Sequence, residues 1–212
     1  MNRNKMIFRL GLFLIAATLV FVGFNRTGAQ TTQPAHEYED KDEDRDEDER
    51  EHEHEAMWKA VSHATCALTP TDGNTATGVV TFTEADGEVS VSAHITGLEP
   101  NSTHGIHIHQ YGDITAPDGT NAGGHYNPED YDHGLPDTED RHAGDLGNLT
   151  ADENGTAHYQ ITVSNVTIAG LSNPIIGRGV IVHAQADDGG QPTGNAGARI
   201  AQGVIGIAKP SP

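Results

Sequence analysis

The 212-residue chain predicts an all-β domain, a sandwich or a barrel, behind a non-globular N-terminal segment. Three observations point there. From Met57 onward Val, Ile and Thr are frequent, and Gly, Asn, Asp and Pro recur as turn punctuation. Apolar and polar residues alternate along Glu88-Val89-Ser90-Val91-Ser92-Ala93-His94-Ile95, the period-two pattern of a strand with one face in a core and one in water. No stretch keeps a helical period, so short strands at regular spacing are the organising unit.

The predicted strands run, in order, over residues 76–84, 88–95, 104–109, 157–163, 179–183 and 200–207. Ala85-Asp86-Gly87 and Asp152-Glu153-Asn154-Gly155 carry hairpin turn chemistry. Between His109 and Asp145 lies a long stretch rich in Gly, Pro, Asp and His. A loop of that length inside a compact domain is usually functional, and something must hold it down.

The N-terminus reads as a targeting segment. Arg3, Lys5 and Arg9 precede a continuous apolar run over 10–24, and Thr27-Gly28-Ala29 supplies small residues for cleavage after Ala29. The run falls short of the ~20 apolar residues of a membrane span. Residues 1–29 are therefore expected to be a signal peptide, and the mature chain to work in a periplasm or outside the cell, with no membrane association after cleavage. Residues 30–56 are a low-complexity acidic tail, with thirteen Asp and Glu against three Lys and Arg. That tail has no apolar face to bury and is expected to be disordered. Its His36, His52 and His54 suit weak metal scavenging or nothing beyond solvation. The remaining body, 57–212, carries eighteen acidic against five basic residues. That balance excludes nucleic acid and anionic membrane as partners, because both need basic patches. Cys66 is the one cysteine. It makes no internal bridge and reads as a small buried apolar residue on a strand.

Of thirteen histidines, the ten outside the tail remain to be accounted for. His63, His94, His104 and His158 have no partner at ligand spacing and read as surface or hydrogen-bonded core residues. His107-Ile108-His109 differs: side chains alternate across a strand, so both imidazoles share one face while Ile106 and Ile108 enter the other. The loop adds His125, His133 and His142, with Asp145 three residues further on. Three nitrogens and a carboxylate suit a closed tetrahedral zinc site. His183 ends the apolar run Val180-Ile181-Val182 and is placed to return another nitrogen to the first pair. Burying so many imidazoles without metal would leave polar groups unpaired, so the cluster predicts a two-metal site.

The order and spacing of these residues resemble a known family. Gly105-Ile106-His107-Ile108-His109-Gln110-Tyr111-Gly112-Asp113, Gly124-His125-Tyr126-Asn127-Pro128, His133-Gly134 and Arg141-His142-Ala143-Gly144-Asp145-Leu146-Gly147-Asn148 are similar to the first signature and zinc loop of the copper/zinc superoxide dismutases. Gly194-Asn195-Ala196-Gly197-Ala198-Arg199 and Gly203-Val204-Ile205-Gly206-Ile207-Ala208 resemble that family's C-terminal signature. The similarity extends over about residues 60 to 208.

The resemblance implies an eight-stranded Greek-key barrel with long metal-binding and electrostatic loops. It implies copper on His107, His109, His125 and His183, and zinc on His125, His133, His142 and Asp145, with His125 bridging the two ions. Asp187 matches a carboxylate that hydrogen-bonds one ligand of each metal, whereas Asp188 reads as a polar loop residue. Arg199 matches a guanidinium that guides superoxide to copper. The implied reaction is dismutation of superoxide to dioxygen and hydrogen peroxide, with His125 carrying a proton. Ile176, Gly177, Gly112 and Ile207 resemble an apolar dimer patch, so a homodimer is expected. The rival readings are a metal store that keeps the fold without catalysis and a single-metal cupin-like oxygenase built on His107 and His109. Arg199 argues against the store, and the second ligand set with Asp145 argues against the cupin.

Two departures stand out. The family's intrasubunit disulfide is missing: Gln202 occupies one expected cysteine position, and Pro117-Asp118-Gly119-Thr120 offers no other. Loss of that bridge leaves metal and hydrogen bonds to order the loop and predicts an unusually labile metal-free form. The segment 188–193 is shorter than the usual electrostatic loop and lacks its charges, which leaves steering to Arg199.

Overall fold

The structure, a computed structural model, describes residues 61–209. The predicted signal peptide and acidic tail lie outside the described residues. Nine strands follow one another: β1 His63–Pro70, β2 Thr77–Ala85, β3 Glu88–Thr96, β4 Thr103–His109, β5 Asp145–Thr150, β6 Ala157–Val163, β7 Gly179–His183, β8 Arg199–Val204 and the two-residue β9 Gly206–Ile207. A single 3-10 turn, Thr120–Ala122, is the one helical element among the described residues.

The strands form a nearly closed antiparallel barrel with the order β5-β4-β7-β8-β1-β2-β3-β6, and β9 pairs with β1. Sequence neighbours are separated at three points, β1 beside β8, β3 beside β6 and β4 beside β7, which makes the connections Greek-key crossovers. The two halves join where β1 pairs with β8, Thr69 opposite Gln202 and Pro70 opposite Ala201. At the remaining seam the Tyr159 hydroxyl of β6 donates to the Leu146 carbonyl of β5.

Alternation builds the core as expected. In β2 the side chains of Val80 and Phe82 enter the barrel while Thr81 and Thr83 face water, and β3 adds Val89, Val91, Ala93 and Ile95. Asp86 and Gly87 turn the hairpin between them, both at positive φ. Cys66 lies fully buried on β1, and burial pushes its thiol up to about 12, so it acts as an inert apolar filler.

Several boundaries differ from the sequence reading. β5 was not read as a strand, because it contains Gly147 and Asn148, and β1 was read as a strand only at Cys66, without bounds, because its alternation is weak around Pro70. The run 200–207 breaks at Ile205, whose buried side chain and hydrogen bonds to Arg178 and Gly177 turn the chain between β8 and β9. In β4, Ile106 and Ile108 enter the core as predicted, and the opposite face, with His107 and His109, is buried too.

Candidate metal centre

Six segments bring the predicted residues together on the outer face of β4 and β7. β4 supplies His107 and His109, the long loop supplies His125, His133 and His142, Asp145 opens β5 and His183 closes β7. The second loop, between β7 and β8, supplies Asp187, and Arg199 opens β8 as the ladder partner of His183. All seven predicted ligands and Asp187 are buried. They fall into two groups, His107, His109, His125 and His183, and His125, His133, His142 and Asp145. His125 belongs to both.

Hydrogen bonds on the outer side of each ring settle which nitrogen faces inward. His109 Nδ1 donates to the Gly123 carbonyl at 3.0 Å and His183 Nδ1 to the Gly197 carbonyl at 3.2 Å, so their Nε2 atoms carry lone pairs and face one another at 3.3 Å. His107 Nε2 and His133 Nε2 donate to the two oxygens of Asp187, each at 2.9 Å. His107 Nδ1, His133 Nδ1 and His125 Nε2 are left buried without a hydrogen-bond partner. His133 Nδ1 does stand 2.9 Å from Asp145 Oδ2, but in an alignment that makes no hydrogen bond. Both residues belong to the group His125, His133, His142 and Asp145, whose ligand atoms lie within 4.8 Å of one another. On the other side of His125, Nδ1 lies 3.4 Å from His142 Nδ1. That spacing is the edge of a tetrahedron with bonds of ~2.0–2.1 Å, the geometry of zinc with imidazole.

The residues therefore fit a metal pair. Buried unpaired nitrogens in a native interior need an explanation, and convergent lone pairs on a cation supply it. One group offers four imidazole nitrogens, a set suited to copper; the other offers three nitrogens and a carboxylate, suited to zinc.

Electrostatics agree with that division. Burial drives the His107 ring down to about 4 and the His183 ring to about 3, and His109 well below the usual value, so these imidazoles stay neutral and keep their lone pairs. His133 goes the other way. Burial opposes its charge, but Asp145 and Asp187 on its two nitrogens outweigh that and lift it to about 9. Burial also opposes the charges of Asp145 and Asp187, and their histidine partners hold both well below the ordinary carboxylate range.

The backbone around the ligands is shaped for close approach. A side chain at Gly194 would collide with Asp187 Oδ1, and one at Gly144 would strike the Ile108 carbonyl 2.1 Å away. Several positioning residues were not singled out in the sequence. Asn148 exchanges hydrogen bonds with the Asp187 backbone at 2.7 and 2.8 Å, and Gln191 does the same with the His133 backbone at 3.0 and 2.8 Å. Arg141, nearly buried, donates to the carbonyls of Asp145 and Thr138. Side chains that act through main-chain partners leave no spacing rule to find them by. His104 keeps its hydrogen-bonded core role, with Nδ1 donating to the His183 carbonyl at 2.8 Å. Asp188 is a polar loop residue that accepts from Asn195.

Residues 76–205, a span holding every ligand, Asp187 and Arg199, match the family model for copper/zinc superoxide dismutase (SODC). The chain belongs to the copper/zinc superoxide dismutase family. It is 49% identical over 140 residues to the Cu-Zn superoxide dismutase of Paramecium bursaria Chlorella virus 1, covering 62% of this chain and 73% of that relative. The solved crystal structure of the clock protein EA4 superposes with a TM-score of 0.63 at 42% identity, over 69% of this chain and 95% of that one. As a member of this family the chain is an oxidoreductase that converts superoxide to dioxygen and hydrogen peroxide, with copper and zinc as its cofactors. Those findings displace both the metal store and the single-metal oxygenase. In this superoxide dismutase Asp187 touches one ring from each group, so Asp187→Ala should weaken binding of both metals by about 10–100-fold, read by chelator competition. Loss confined to one metal would refute that shared role.

Proposed function

We propose that His107, His109, His125 and His183 hold the copper and that His125, His133, His142 and Asp145 hold the zinc. His125 then serves both ions through opposite ring nitrogens. The observation that carries this reading is the environment of that ring. Its Nδ1 faces Asp145 and His142 at 2.8 and 3.4 Å, while its Nε2 is buried and unpartnered, with the His107 ring 4.0 Å away between centroids.

Bound copper supplies a reversible one-electron couple, so that one superoxide is oxidised to dioxygen and a second, with two protons, is reduced to hydrogen peroxide. The chain's residues do the rest. The inward nitrogens of His107, His109 and His183 are locked as lone-pair donors by their outward hydrogen bonds, which leaves little reorganisation between half-reactions. His125 Nε2 is the atom at which one of the two protons is held and delivered. Arg199 is the half-buried cation next to His183 in the β ladder, and it attracts an anionic substrate that the acidic body otherwise repels.

The reading includes a homodimer, supported by apolar side chains at the surface. Tyr111 and Ile207 are each 60% exposed, and Ile114 and Val204 are exposed as well. Gly112 packs closely against its neighbours: a side chain there would lie against the Gly177 carbonyl and 2.8 Å from Val204. Exposed apolar side chains of this kind suit a self-complementary contact. The N-terminal sequence supports export to a periplasm or the extracellular space, with a mature chain that begins at Gln30.

Three outcomes test this reading. His183→Ala should lose copper and superoxide consumption while keeping one zinc per chain; full activity in that variant would sink the ligand assignment. Arg199→Ala should slow turnover at least several-fold at low ionic strength and lose much of the wild-type salt dependence, since screening removes only an attraction that exists. Light scattering should give a dimer for the mature chain, whose mass places its start at Gln30, and a monomer for Ile207→Asp; a monomeric wild type would overturn the interface.

A further inference from the structure

The loop that carries residues 112–123 has no covalent tie to the barrel, since Cys66 is the chain's one cysteine and is buried in β1. A side chain of β8 takes hold of it instead. Gln202 is 5% exposed, and its Nε2 donates to the carbonyl of Ala116 at 3.1 Å and, more weakly, to that of Ile114 at 3.5 Å. The backbone beyond β1 adds a second grip, with Asp72 N donating to the Pro117 carbonyl at 2.8 Å. Within the loop, Asp118 accepts from the Thr120 backbone and Gly119 N donates to the Ala116 carbonyl, so the segment from 116 to 120 is internally cross-linked.

What the loop then does concerns Arg199. One guanidinium nitrogen donates to the Gly119 carbonyl and the other to the Gly123 carbonyl at 2.6 Å. The Gly123 carbonyl also accepts from His109 Nδ1 at 3.0 Å. One oxygen therefore fixes both the guanidinium and a ring of the four-histidine group. Gly119, at φ +76°, is wedged between Arg199 and Gln202: a side chain there would stand 3.3 Å from Arg199 Cδ and 3.4 Å from Gln202 Oε1.

We propose that Gln202 is a positioning residue for substrate guidance, tying the 112–123 loop to β8 so that the Gly119 and Gly123 carbonyls hold Arg199 in place. The amide itself argues for this. Its Oε1 is buried without a partner, a penalty that an apolar side chain of the same size would avoid, so the donor end is the part with a use. A hold made of hydrogen bonds is also indifferent to thiol reductants, so the guide keeps its place in oxidising and reducing surroundings alike. The inference rests on the guiding role given to Arg199 above.

The test compares copper- and zinc-loaded wild type, Arg199→Ala, Gln202→Met and the double variant. Met keeps the length of Gln and removes the donors. Superoxide consumption is measured against ionic strength, and azide, a small monovalent anion, is titrated against the visible absorption of the copper. Gln202→Met should keep one copper and one zinc per chain, lose several-fold in rate at low salt, show a flattened salt dependence and bind azide several-fold more weakly. The double variant should be no worse than Arg199→Ala, because the two act through one group. A Gln202→Met protein with wild-type rate, salt slope and azide affinity overturns the proposal, as does a double variant whose loss is the product of the single losses. If Gln202→Met fails to load both metals, Gln202→Asn, one methylene too short to reach Ala116, carries the same readouts. Failure of Arg199→Ala to change anything would instead defeat the guiding role of Arg199.

Discussion

The two oxygens of Asp187 each take a hydrogen bond from a different imidazole, His107 on a strand and His133 on a loop. With Nε2 of each ring committed to that carboxylate, each Nδ1 must point away from it, one into each donor group. Asn148 of β5 fixes the Asp187 backbone and the Gly189 N–H donates to the carboxylate, so its position is set by the protein rather than by the ions. Removing that carboxylate would free one ring in each group to rotate, and two adjacent sites would no longer have defined donor sets. The low protonation tendency of Asp187 has the same origin, since burial of its charge is outweighed by the donors around it.

The barrel provides rigidity and the loops provide chemistry, and the two are joined by main-chain hydrogen bonds more than by apolar packing. Gln191 grips the backbone of His133, Arg141 grips that of Asp145, and Gln202 grips the loop that carries Gly119 and Gly123. Segment 188–193 looks depleted in the sequence, because it is short and carries no cations. In the structure its Gln191 holds the loop that carries His133. Loss of charge in that segment thus leaves its anchoring role intact.

Much of the fold was legible because strand alternation is a local property. The runs 157–163 and 179–183 were bounded as observed, and the hairpin around Asp86-Gly87 announced itself through turn chemistry. β5 escaped notice for physical reasons, and β1 was read only as the strand around Cys66, without bounds. β5 is interrupted by Gly147 at positive φ and Asn148, and both faces of its first residues are buried, which erases alternation. The histidine face of β4 was read as a metal-binding face, and both faces of that strand are buried.

The sequence by itself determined which side chains are candidate ligands. Imidazoles and a carboxylate at that spacing have one economical use, and a two-residue period places His107 and His109 on one face whatever surrounds them. Only the tertiary structure decided which nitrogen of each ring faces inward, how Asp187 is shared, and what replaces a covalent tie at Gln202. Those choices depend on hydrogen bonds between residues as far apart in the chain as His107 and Asp187 or Gln202 and Ala116. Contacts of that range are settled by how the barrel closes, not by local pattern.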